Sequence, residues 1–240
     1  MIISLIMNNT LNNNVSFMVS QNVATSYDKL TNPYQLTHAS LMIAAYVIFT
    51  RIAIYSARFN QDKVFKDEQT WLKVHVVSNI LSILCVIPGV VIAFNNAGWV
   101  FLVRVTFEAS FTEQFQSFRD SILKQHSLFG IISVSLLALN FLLGLIRAHI
   151  YIRPFHFLIG FMSTILADYV TILGLLLFRN KKWSWLPIFY CCFLLIDFVI
   201  ALCVRRIFKE FMQVRSKVTF IIYCVLVIVV AMFLIVGMVL

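Results

Sequence analysis

Residues 38–59 read HASLMIAAYVIFTRIAIYSARF, a run of 22 residues in which Arg51 and Arg58 are the only Lys, Arg, Asp or Glu. Apolar residues continue along this stretch without the alternation of a strand that has one wet face, so a helix in apolar surroundings is expected. A helix needs roughly 20 such residues to cross a hydrocarbon layer about 30 Å thick. Working outward, the same reading gives spans at about 36–58, 71–94, 122–146, 154–178, 183–204 and 218–240. Inside a bilayer only helices or a closed barrel satisfy every backbone group. These runs are continuous, so the expected fold is all-α, a polytopic membrane helix bundle with six transmembrane helices.

Composition supports this outward reading. Of the 240 residues 61% are hydrophobic and 12% charged, with 23 Phe. The mean hydropathy is +0.91. A soluble domain of this length could not hide so much apolar surface. A soluble globular domain, a disordered chain and a disulfide scaffold are therefore excluded. The 5 Cys are odd in number and all lie inside apolar runs, which argues against a disulfide framework. The net charge of +9 sits in short loops between spans. The expected partner for that charge is the anionic surface of the lipid bilayer rather than nucleic acid.

Three regions follow. Residues 1–35 are polar and Asn-rich and read as an extracytosolic tail, with N-x-[ST] sequons at Asn8 and Asn14. Residues 36–204 hold five spans. Residues 205–240 hold a cytosolic loop and an additional C-terminal span. The loops after the first, third and fifth spans carry 11 of the 19 Lys and Arg, and the opposite side carries 7. The richer side is expected in the cytosol, which puts the amino terminus outside. The protein is thus expected in the plasma membrane or an endomembrane.

Histidine supplies the candidate chemistry. Four of the 5 His stand near the starts of four consecutive spans, at His38, His75, His126 and His156. Successive spans reverse direction, so His38 and His126 share the outer leaflet and His75 and His156 the inner. Haem iron takes two axial imidazoles, one on each side of the porphyrin plane, and a four-helix core offers facing positions for them. The first four helices are therefore expected to form a di-haem core with two b-type haems roughly 20 Å apart, iron to iron. Gly130 and Gly160 stand one turn beyond His126 and His156, where a flat macrocycle needs bare backbone. A lone His near a helix end is more often an interfacial residue, and glycines at this spacing also serve ordinary helix packing. Zinc is a competitor at the inner side, where His149 could join His75 and His156, but zinc needs three or four ligands at one depth.

The strings at 38–59, WLKVH at 71–75, QHSLFG at 125–130 and RPFHFLIG at 153–160 together resemble the cytochrome b-561 transmembrane domain. The resemblance is strongest to the form found in ferric-chelate reductases and other DOMON-containing proteins. It covers about 36–178 and, less sharply, the fifth span; its most specific part is His38, Leu41-Met42 and the closing Ala57-Arg58. It implies two b haems with bis-His ligation, His38 with His126 and His75 with His156. It further implies electron transfer across the membrane from cytosolic ascorbate to a ferric chelate or monodehydroascorbate outside, that is, reductase activity, and a possible homodimer. About 35 residues before the first span are too few for a DOMON domain, and the 95–121 loop has no additional His.

Lys73 and Arg153, close before His75 and His156, are candidate contacts for ascorbate or a haem propionate on the cytosolic side, and Lys124 plays the same part near His126 outside. The alternative for each is ordinary flanking charge. Asp168 and Asp197 lie within spans, where carboxylates are costly and often functional. Asp168 is expected to bond to a Ser or Thr on a neighbouring helix, or else to relay a proton or bind a cation; Asp197 is expected to pair with a basic group such as Arg205 or Arg206, and Arg51 to snorkel toward the cytosol. The competing function is a non-redox polytopic protein, such as a small transporter or a subunit of a membrane complex. The inverted repeats and broken helices common in transporters are not evident.

Overall fold

A computed structural model describes residues 33–59, 68–96, 112–146, 151–178, 185–207 and 215–239. Helix α1 runs in three pieces, Pro33–Ile43, a π-helical Ala44–Phe49 and Thr50–Phe59. It is followed by α2 (Glu68–Asn96), α3 (Thr112–Leu145), α4 (Arg153–Leu177), α5 (Leu186–Ile207) and α6 (Arg215–Val239). No strand occurs among the described residues. Residues 1–32 of the expected tail with both sequons, His149, and the side chains of Arg205 and Arg206 lie outside what is described, and the last three tail residues, 33–35, are instead the first turn of α1.

Among the described residues, five stretches are long and apolar enough to cross a membrane: Pro33–Ala57, Thr70–Asn95, Ser121–Leu145, Arg153–Leu177 and Val218–Val239. Within α5 the apolar part is shorter, Leu186–Ala201. The helices start and stop where local chemistry allows. Pro33 opens α1, and Pro154 lies in the first turn of α4, where a missing N–H leaves no bond unmade. Helix α3 begins at Thr112, earlier than hydropathy suggests, because TEQFQSFRDS contains no Gly or Pro to stop it. Helix α2 continues through Pro88.

The packing is that of a membrane protein. Phe157 and Leu84 are 68% and 59% exposed, whereas Ser82 and Ser133 are 0% and 1% exposed. Apolar tips face outward and small hydroxyl residues let the backbones approach. Helix α3 packs along α4, α1 lies against α2 and α6, and α5 bears on α4 and α6. One buried cluster, with Ala45, Tyr46, Val86, Leu137 and Ala167, joins the first four helices. A second, with Val47, Tyr190, Val227 and Leu234, fastens α5 and α6 to α1.

The π-helical turn in α1 leaves the Ala45 carbonyl with three donors. It accepts from the Thr50 N–H, from Thr50 Oγ1 at 2.9 Å and from Ser82 Oγ at 3.1 Å. Irregular backbone at membrane depth is tolerated where protein groups satisfy it in this way.

Candidate functional site

Antiparallel neighbours place the start of one helix beside the end of the next. The His38 ring therefore meets the late part of α2, where its Nδ1–H donates to the Gly89 carbonyl at 2.8 Å. At the opposite end His75 Nδ1–H, early in α2, donates to Ala53 of α1 at 2.8 Å. The α3–α4 hairpin repeats the arrangement. His126 Nδ1–H donates to Val170 at 3.0 Å, and His156 Nδ1–H donates to Asn140 at 3.1 Å.

These four bonds set the tautomer. A carbonyl oxygen only accepts, so each Nδ1 carries the proton and each Nε2 carries the lone pair. A histidine prepared to ligate a metal through Nε2 makes this same outer bond, which also holds the ring in orientation.

A common local pattern lets the imidazoles reach main-chain oxygens. A helical side chain leans toward its own N-terminus and so covers the carbonyl four residues earlier. The residues four positions after the accepting carbonyls of Ala53, Gly89, Asn140 and Val170 are Ala57, Ala93, Gly144 and Gly174. All are small. At the two glycines the fit is tight: a Cβ at Gly174 would come 3.0 Å from His126 Cε1, and one at Gly144 would come 3.3 Å from His156 Cε1.

The rings meet in two pairs. The centroids of His38 and His126 are 6.3 Å apart with planes at 83°, and those of His75 and His156 are 6.3 Å apart with planes at 81°. An imidazole nitrogen sits about 2 Å from a metal it ligates and about 1.1 Å from its own ring centre, so two rings on opposite sides of one metal have centres roughly 6 Å apart. Both pairs have this separation. His75 makes a further contact. Asn79, one turn after His75, donates to the His75 carbonyl at 2.8 Å and from the same amide to His75 Nε2 at 3.2 Å.

Among the described residues no group of three or more His, Cys, Asp or Glu comes together. The histidines gather two by two, and His149, the expected third member of a zinc set, lies outside the described residues.

The other candidates are placed as follows. Lys73 and Arg153 are exposed within one turn of His75 and His156, so both cations stand at that end of the bundle. Lys124 is half-buried two residues before His126. A Cβ at Gly130 would make ordinary contact with Val170 at 3.8 Å, and one at Gly160 would lie 3.0 Å from the Asn140 amide. Both glycines thus serve the α3–α4 contact in this structure, and Gly160 does so against the residue whose carbonyl holds His156.

The intramembrane charges depart from expectation. Arg51 is 8% exposed and does not snorkel. Its guanidinium pairs with Asp168 at 2.5 Å and with Asp197 at 2.5 Å. The Tyr190 hydroxyl donates to Asp168 at 2.9 Å, and the Tyr223 hydroxyl donates to Asp197 at 2.7 Å. Among the described residues the bonding partners of Asp168 are therefore Arg51 and Tyr190 rather than a Ser or Thr. Asp197 reaches Arg51 from the middle of α5, and the expected partners Arg205 and Arg206 have side chains outside the described residues. Arg51 leans toward the start of α1 and Asp168 toward the start of the antiparallel α4, so the two side chains extend toward each other.

Compared with family models, with curated proteins and with solved structures, the chain matches none of them.

Proposed function

We propose that the chain is a transmembrane electron carrier in which two b-type haems are held between paired histidines, His38 with His126 and His75 with His156. The observation that carries the reading is the repetition of one geometry at both ends of the bundle. Two rings stand 6.3 Å apart at each end, and every Nδ1–H is committed to a backbone carbonyl. Neutral imidazoles held in fixed orientation, with the proton on Nδ1 and the lone pair on Nε2, suit bis-imidazole ligation of haem iron, and at His75 the Asn79 amide would give up its Nε2 contact to the iron. Bound there, each haem supplies a one-electron couple in an apolar site.

The protein groups do the remaining work. The carbonyls of Ala53, Gly89, Asn140 and Val170 fix the rings, and Gly144 and Gly174 leave room for two of them. Lys73 and Arg153 give one mouth a positive face that attracts an anionic reductant. The resemblance to the cytochrome b-561 transmembrane domain supports ascorbate as that cytosolic donor. It also supports a ferric chelate or monodehydroascorbate as the acceptor outside, which makes the protein a transmembrane reductase.

The experiment uses the purified chain in sealed vesicles loaded with ascorbate, with a ferric chelate and a ferrous indicator outside. The expected result is a b-type absorption spectrum and external ferrous iron formed only when ascorbate is enclosed. A colourless preparation from haem-replete cells, or a red one that passes no electrons, would contradict the proposal.

A further inference from the structure

The ionic cluster at the centre of the bundle belongs to neither histidine pair, yet it is built into the segments that hold both. Arg51 lies two residues before Ala53, whose carbonyl receives the His75 ring. Asp168 lies two residues before Val170, whose carbonyl receives the His126 ring. Two residues of helix are about 3 Å along the axis. The Arg51–Asp168 bond therefore joins the backbone beside one pair to the backbone beside the other. Asp197 enters from α5, Tyr190 and Tyr223 donate from α5 and α6, and the Tyr55 ring stacks on Tyr223 at 3.6 Å.

The charges do not balance. One guanidinium faces two carboxylates, each of which also accepts from a tyrosine hydroxyl. By formal count, one cation and two carboxylates leave an excess of one negative charge inside the bundle, where counterions screen it little and its field extends further than in water. An electron arriving at either histidine pair meets that field.

We propose that Arg51, Asp168 and Asp197 form a potential-setting charge cluster for the electron path, lowering the midpoint potentials of the haems at both histidine pairs. This rests on the haem reading above. The members are positioning residues: they act through the field and through the helix segments that carry the Ala53 and Val170 carbonyls, without touching the haem. Placement between the pairs makes the effect common to both, so the cluster moves the two potentials in the same direction.

The test is a redox titration of the full-length protein, following the haem absorption bands. In Asp197→Asn the excess charge is removed, and both midpoints are expected to rise while haem content stays at the wild-type level. In Tyr223→Phe the hydroxyl dipole whose positive end offsets the Asp197 charge is removed, and both midpoints are expected to fall. Arg51→Lys keeps the charge and is expected to leave the potentials near wild type. Opposite signs from two substitutions in one cluster are not what general loosening of the fold produces. If Asp197→Asn does not accumulate, Asp168→Asn is read in its place, and the Tyr223→Phe shift decides if both fail. Two retained haems with unmoved midpoints in these variants would overturn the proposal alone. A wild-type protein that binds no haem would overturn the haem reading and this proposal with it.

Discussion

His126 lies against Gly174: the ring carbon Cε1 occupies the place where a side chain at 174 would begin, 3.0 Å from the position of a Cβ. The same ring donates to the carbonyl of Val170, one turn earlier on the same helix. Bond and gap are two halves of one seat. Replacing Gly174 by Val should push the ring off its carbonyl, at an overpacking cost of about 1–3 kcal/mol. The expected outcome is loss of the haem shared by His38 and His126 with retention of the other, read as a halved absorbance per chain. Gly144→Val should do the reverse, by displacing His156.

Arg51 holds two carboxylates that would otherwise be unpaired inside the bundle. Removing one partner of a buried ion pair commonly costs 3–5 kcal/mol, because the remaining charge has neither water nor counter-charge. Arg51→Met should therefore lower the thermal unfolding midpoint in detergent far more than Arg51→Lys does. Equal stability of the two variants would mean that the carboxylates find other partners.

Lys73 and Arg153 are exposed beside His75 and His156. Neutralising both should slow reduction by ascorbate several-fold at low ionic strength, because an anionic donor is steered by such a face. The difference should fade as salt rises and the field is screened. A neutral membrane-soluble reductant should reduce wild type and variant at the same rate. A rate loss independent of salt would assign these residues a structural part instead.

Much of this architecture is legible in the chain because the bilayer imposes a one-dimensional code. Apolar runs of about 20 residues mark the spans, and alternation of direction alone pairs His38 with His126 and His75 with His156, the partners that face each other in the structure. The carbonyl seats are less visible. Ala57, Ala93, Gly144 and Gly174 look like ordinary small residues of packed helices until the neighbouring helix brings a ring to the carbonyl four positions before each. A search for small residues late in each span would have found them, whereas attention to the turn after each histidine leads to Gly130 and Gly160. The ionic cluster was legible only as three costly side chains. Arg51 and its partners are 117 and 146 residues apart in sequence, and nothing local says which charges will meet. The starting point of α3 was hidden for a related reason: hydropathy marks where a helix enters lipid, not where its backbone begins to coil.

The central claim is that imidazoles are shared two by two, and haem counting in paired variants tests it most directly. His38→Ala and His126→Ala should each leave one haem per chain, and the double variant should still leave one, because both residues serve the same site. Combining His38→Ala with His156→Ala should leave none. One haem retained in that second double variant, or none in the first, would contradict the pairing on which the electron path depends.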